Sequence, residues 1–164
     1  MIRIALLVMS IVAFGACSGA KGGPNMNNSM NGGAEPTPQA SAVVSDDILA
    51  REPISNSVQV KHILIGWKDT AGGGDPRAAK RTKSDAETQI RALLAQLKGG
   101  ADFDALMKQF SEDPGSASSG RPYRVTPDAQ LVIEFKQLGL RLKVDELGVV
   151  QSDYGFHIIK RIAD

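Results

Sequence analysis

The chain has 164 residues, 42% of them hydrophobic and 23% charged, a length that suits one hydrophobic core with tails. Nineteen Lys and Arg against eighteen Asp and Glu leave a formal charge of +1, which argues against a polyanion-binding surface and so against nucleic acid as a partner. A single cysteine excludes a disulfide framework, and with only two histidines beside it the chain lacks the ligands of a structural zinc site.

Met1-Ile2-Arg3 is a short basic start to an uncharged apolar run, Ile4 to Ala16. A membrane-spanning helix takes roughly 20 residues, so this run is too short to cross but suits the apolar part of an export signal. It ends in Gly15-Ala16, directly before Cys17. The arrangement resembles a bacterial lipoprotein signal: residues 1–16 are cleaved off and the Cys17 thiol receives a diacylglycerol. Phe14 stands where such signals usually carry Leu, and the competing reading is an ordinary secretory signal with a chance cysteine. Acyl chains contribute about 0.8 kcal/mol per buried methylene, so two or more anchor stably. Ser18 replaces the aspartate associated with inner-membrane retention, which points to an outer membrane and its periplasmic face. The outer face of a single-membrane cell is the alternative.

From Ser18 to about Ala42 the composition shrinks to Gly, Asn, Ser, Pro and Ala, with Met26 and Met30 as the only large apolar side chains. Such a segment buries too little to offset its ordering entropy and is expected to be a disordered tether. Residues 17–56 together form that anchor-and-tether region; as a flexible coil it spans roughly 30–35 Å. Val43 to Glu52 has the makings of one or two helical turns, with Ser45 as N-cap, Asp46 and Asp47 at the positive end, and Pro53 as the stop.

The folded domain is predicted over 57–164. Val58, Val60, His62 and Leu64 alternate with Gln59, Lys61, Ile63 and Ile65, which reads as a strand with His62 on the apolar face. Gly72-Gly73-Gly74 and Pro76 make 67–81 a loop. Ser84-Asp85-Ala86-Glu87 reads as a capping box, followed by Ile90, Leu93, Leu94 and Leu97 at helical spacing and a stop at Gly99-Gly100. A second helix is expected over 102–111, a loop over 111–120, and a short strand at Tyr123–Val125. Thr126-Pro127 reads as the entry to a third helix bearing Leu131, Phe135 and Leu138. Leu147–Ser152 and Phe156–Ile162 are strands joined in a hairpin at Asp153-Tyr154-Gly155. The sum is an α+β domain, helices covering a small antiparallel sheet.

His62 and His157 sit in the first and last strands, each on an apolar face, and pairing of those strands would bring the imidazoles together. Taken singly, such a histidine is more often a satisfied core residue than a functional one. No Gly-x-Ser-x-Gly marks a serine nucleophile. No acid is placed beside the imidazoles as a third metal ligand. The triglycine lacks the Lys-Ser/Thr ending of a phosphate loop. No metal and no cofactor are therefore expected.

Three segments in order, Val60-Lys61-His62-Ile63-Leu64-Ile65, Gly99 to Leu106 with Phe110-Ser111-Glu112-Asp113-Pro114, and Tyr154-Gly155-Phe156-His157-Ile158-Ile159-Lys160, resemble the parvulin family of peptidyl-prolyl isomerases. The resemblance covers roughly 57–162. It implies a parvulin/FKBP-like fold, a four-stranded antiparallel sheet surrounded by about four helices, with the two histidines adjacent at its centre. It also implies rotation about X–Pro bonds without covalent chemistry. By that resemblance His62 and His157 are the paired histidines, Ser152 is their hydroxyl partner, and Asp113 takes a position that is cysteine in some members and aspartate in many. Leu131, Phe135, Leu140 and Tyr154 would contact the substrate, plain core packing being the bland alternative for the first three. The implied partners are unfolded, proline-containing polypeptides and, through Cys17, a membrane, with the chain acting as a monomer.

Three departures stand out. Ser119-Gly120-Arg121-Pro122-Tyr123-Arg124 replaces the family's Gly-Gly-Asp-Leu-Gly, Val132 replaces a common glutamine, and Val144-Asp145 replaces a proline-glycine turn. They leave open a second reading, a peptide-binding chaperone of low turnover using the same groove. Between Lys68 and Lys83 five basic residues outnumber two acidic ones. Either this loop selects acidic or phosphorylated residues before proline, or it is a solvated surface attracted at most to anionic headgroups.

Overall fold

The computed structural model describes residues 41–71 and 75–163. The export signal, Cys17, the tether as far as residue 40 and the triglycine lie outside the described residues. Four strands form one antiparallel sheet: β1 (Val58–Ile65), β2 (Tyr123–Val125), β3 (Leu147–Ser152) and β4 (Gly155–Ala163), in spatial order β2-β1-β4-β3. The first and last strands of the sequence are thus central neighbours. Five α-helices accompany them: α1 (Asp46–Leu49), α2 (Lys83–Lys98), α3 (Phe103–Phe110), α4 (Pro114–Ser119) and α5 (Ile133–Gly139).

Period-two alternation in β1 and β4 divides the interior into two clusters. Ile63, Ile65, Phe156 and Ile158 pack on one face against Ile90 and Leu93 of α2 and Phe103, Leu106 and Met107 of α3. Val58, Val60 and Ile159 pack on the other against Phe135 and Leu138 of α5 and Ile48 of α1. In the register His62 faces Ile159 and Leu64 faces His157. The two histidines are therefore diagonal neighbours on the second face, within reach of each other across one strand gap.

Local chemistry moves several boundaries. α2 starts at Lys83, capped by Thr82, whose side chain accepts from Asp85 N–H while Asp85 accepts from Thr82 N–H. The expected Ser84–Glu87 box is therefore displaced by two residues, and Glu87 instead accepts from the Ser41 hydroxyl. The expected loop over 111–120 contains α4, because the Asp113 carboxylate caps it and Gly120 closes it in the left-handed conformation (φ 63°). Pro127 opens turns, and α5 begins only at Ile133.

Residues 41–56 also differ from a free tether. Ser45 N–H donates to Val149 O, the Ser45 hydroxyl accepts from Val149 N–H, and Val43 and Ile48 are buried. Ser45 thus covers the open edge of β3 rather than bonding its side chain to α1, so the packed body starts well ahead of Ser57. At the other end of the hairpin, Gly155 has φ +138°, and a Cβ there would lie 2.5 Å from Ile65 O. Only glycine lets β4 start this close to the end of β1.

Candidate active site

Asp113, at the N-terminus of α4, faces β1. Its Oδ2 accepts from His62 Nε2 at 3.0 Å, from Ser116 N–H at 2.9 Å and from the Tyr123 hydroxyl at 2.8 Å. These donors hold the carboxyl far below the usual carboxylate range, with the hydrogen bond from His62 as the largest cause. On its other side His62 Nδ1 lies 3.3 Å from His157 Nδ1. His157 Nε2 lies 2.8 Å from Ser152 Oγ, which also accepts from Tyr154 N–H at 3.1 Å. One proton order satisfies every atom: Ser152 donates to His157, His157 to His62, and His62 to Asp113.

Both imidazoles are buried, His62 at 5% and His157 at 4% exposure. They stack with 24° between their planes, and Phe135 stands edge-on to both. Burial first, and the neighbouring His62 second, push the His157 imidazole well below the ordinary histidine range. This has a consequence for stability. His157 in the unfolded chain gains a proton below about pH 6.5, whereas in the folded protein it resists protonation until far lower pH. The contribution of neutral His157 is therefore complete above that pH and is lost as pH falls, by up to about 1.4 kcal/mol per unit. Urea unfolding at pH 7.5 and pH 5.0 should show that loss in the wild type and a flatter profile in His157→Gln. Equal slopes would contradict a buried neutral imidazole.

Above the pair lies a cleft of about 240 Å³, lined by Leu64, Leu131, Val132, Phe135 and Tyr154, with Asp113 and Tyr123 at one side. The structure brings together seven of the eight residues expected from the sequence: His62, Asp113, Ser152, His157, Leu131, Phe135 and Tyr154. The eighth, Leu140, is a correction. It follows α5 and is buried in the second core cluster with Ile48 and Leu142, not in the cleft. Helical spacing shows that a residue is covered, not which of two neighbouring spaces covers it. The sequence reading missed Tyr123 as a site residue. The sequence shows only that Tyr123 alternates in phase with Val125; it is the pairing of Val60 with Tyr123 in the sheet that puts that face on the side of His62.

The basic loop is mostly committed to structure. Arg77 pairs with Asp75 at 2.7 Å, Arg81 bonds both Gly66 O and the buried Glu112, and Lys83 lies over the Trp67 ring. A larger groove of about 590 Å³ runs past Leu97, Phe103 and Leu147, but the ammonium groups beside it, Lys61 and Lys160, pair with Asp104 and Asp145.

Comparison with known proteins agrees with this fold. The foldase protein PrsA of Geobacillus kaustophilus is 41% identical over 75 residues, 45% of this chain and 27% of PrsA. The chaperone SurA of Pseudomonas aeruginosa is 31% identical over 108 residues, 65% of this chain and 24% of SurA. The chain thus spans only about a quarter of the length of these relatives. The structure of the peptidyl-prolyl isomerase ESS1 from Candida albicans superimposes with a TM-score of 0.58 at 20% identity, covering 66% of this chain and 63% of that one, and shares the fold. The family model of the PPIC-type PPIase domain matches residues 47–163, and the chain therefore belongs to that family, the parvulin-type peptidyl-prolyl isomerase domains.

Proposed function

We propose that this chain catalyses rotation about X–Pro bonds in exported polypeptides, as a monomeric foldase anchored to a membrane through Cys17. The observation that carries the reading is the imidazole pair, 3.3 Å apart, beneath an apolar cleft. Amide resonance opposes rotation with a barrier of about 18–20 kcal/mol. A catalyst of rotation must bind the twisted amide more tightly than either planar isomer, each 1.36 kcal/mol of difference giving about tenfold in rate.

Leu131, Val132 and Phe135 supply an apolar wall for a pyrrolidine ring, and a water-poor wall weakens the solvation of the planar, polar amide. The chain Ser152–His157–His62–Asp113 fixes the dipoles beneath it, which need not reorganise as the bond twists. Asp113 carries three donors on one oxygen, an arrangement suited to orienting His62 rather than to attacking a carbonyl. Rotation moves no electrons or groups between molecules, so no cofactor enters the scheme.

Anchoring and export rest on the signal-like N-terminus and on Cys17, and Ser18 supports the periplasmic face of an outer membrane. Relatives named foldase and chaperone support polypeptides as substrates. The test is refolding of a protein whose slow phase is limited by proline isomerisation, tens to hundreds of seconds unassisted. Full-length protein at one-hundredth of the client concentration should accelerate that phase. Acceleration only near stoichiometric amounts would contradict turnover and favour the peptide-binding chaperone.

A further inference from the structure

We propose that Tyr123 is a positioning residue of this site: its hydroxyl holds the Asp113 carboxylate that orders the imidazole pair, while its ring walls the cleft. The inference rests on the isomerase reading and extends it to the segment where the chain departs from the family's Gly-Gly-Asp-Leu-Gly. Three features carry it.

The first is connectivity. Of the three donors to Asp113 Oδ2, Ser116 N–H belongs to the first turn of α4, which Asp113 itself caps. The Tyr123 hydroxyl, at 2.8 Å, comes from β2 and is the shortest of the three contacts. It ties the carboxylate to the strand adjoining β1, so the acceptor cannot swing with its own loop. Asp113 then selects which His62 nitrogen carries the proton, and thereby leaves Nδ1 directed at His157.

The second is the ring's placement. Tyr123 stands edge-on to His62, centroids 5.1 Å apart, and lies 6.2 Å from Phe135. The aromatic body therefore serves the cleft independently of the hydroxyl.

The third is the space kept for the hydroxyl. A Cβ on Gly115 would lie 2.6 Å from Tyr123 Oη, too close to be tolerated, and the end of the tyrosine is what would give way. Gly115 lies inside α4 without a positive φ, so its backbone has no need of glycine and alanine is the better helix former. The absent side chain makes room for the phenol. Burial and then Asp113 raise the phenol to about 12, so it remains a donor at every physiological pH.

The experiment compares Tyr123→Phe, Gly115→Ala and the double variant in steady-state X–Pro isomerisation, with NMR of the His62 Nε2 proton. Each single change should lower kcat on the order of tenfold, the scale of a lost hydrogen bond to a charged group, with KM within about twofold in Tyr123→Phe, where the ring stays in place. The double variant should be no worse than Tyr123→Phe, since phenylalanine has no hydroxyl for the new methyl to strike. Solvent exchange of the His62 Nε2 proton should accelerate in both single variants. Wild-type kcat in Tyr123→Phe, additive losses in the double variant, or an unchanged His62 proton would each overturn the assignment. A wild type that exchanges its His62 proton as expected yet rotates no X–Pro bond would sink the isomerase reading and leave the positioning role standing.

Discussion

His157→Ala is expected to lower kcat/KM for X–Pro rotation about a hundredfold, with KM nearly unchanged. The truncation removes a buried dipole directly beneath the cleft, and loss of one preorganised polar partner of a twisting amide carries a penalty of this order. It also removes the Nδ1 partner of His62 and the acceptor of the Ser152 hydroxyl, so His62 is held by Asp113 alone and the bonded chain beneath the cleft is cut. Leu131, Val132 and Phe135 stay in place, which is why binding suffers less than rate. A protease-coupled assay on a short proline peptide, with circular dichroism as the check on folding, measures it. A kcat/KM within threefold of wild type, in a folded variant, would remove His157 from the mechanism.

Glu112→Ala should be the most destabilising single change near the site, by roughly 3–5 kcal/mol, the scale of a buried ion pair that loses one partner. The Glu112 side chain is 3% exposed, and its two oxygens accept from Gly66 N–H at 2.7 Å and from Arg81 at 2.7 Å. Its own backbone N–H donates to Leu64 O. One residue thus bolts the end of β1 to the segment that carries Asp113. Alanine would leave the Gly66 amide without its acceptor and the Arg81 guanidinium without its counter-charge, with Gly66 O still accepting from it. Urea unfolding reads the loss, and Glu112→Gln, which keeps an acceptor for Gly66, should fall between alanine and wild type. A loss under 1 kcal/mol would show that the pair is not a fastener.

Strands and long helices were legible where one period ran unbroken. β1, the β3–β4 hairpin, the body of α2 and α3 lie where alternation or helical spacing puts them. Ends and short pieces were not, because they depend on single side-chain bonds. Thr82 and Ser84 are equally good caps on paper, and the choice falls on the one whose partner three residues on is Asp85. Pro114-Gly115-Ser116-Ala117-Ser118-Ser119 reads as loop by composition, and becomes a helix because Asp113 caps it and is itself fixed by His62 and Tyr123. The 41–56 segment reads as tether because its few apolar residues, Val43 and Ile48 among them, find cover only in tertiary structure.

The site divides the same way. His62 and His157 could be paired from strand alternation and a guess at topology, and the register makes them diagonal neighbours. Leu140 and Tyr123 could not be sorted by local pattern. Both are apolar-facing positions, and whether each meets cleft or core depends on how α5 and β2 close over the sheet.

Two-dimensional exchange NMR on an isotope-labelled peptide with a single X–Pro bond reports the rotation itself, without protease or folding client. With full-length protein at about one-hundredth of the peptide concentration, cross-peaks between the cis and trans proline resonances should appear within mixing times of about a second, far shorter than the uncatalysed tens of seconds. Separate cis and trans signals with no exchange between them, while peptide resonances shift on binding, would contradict catalysis by the imidazole pair.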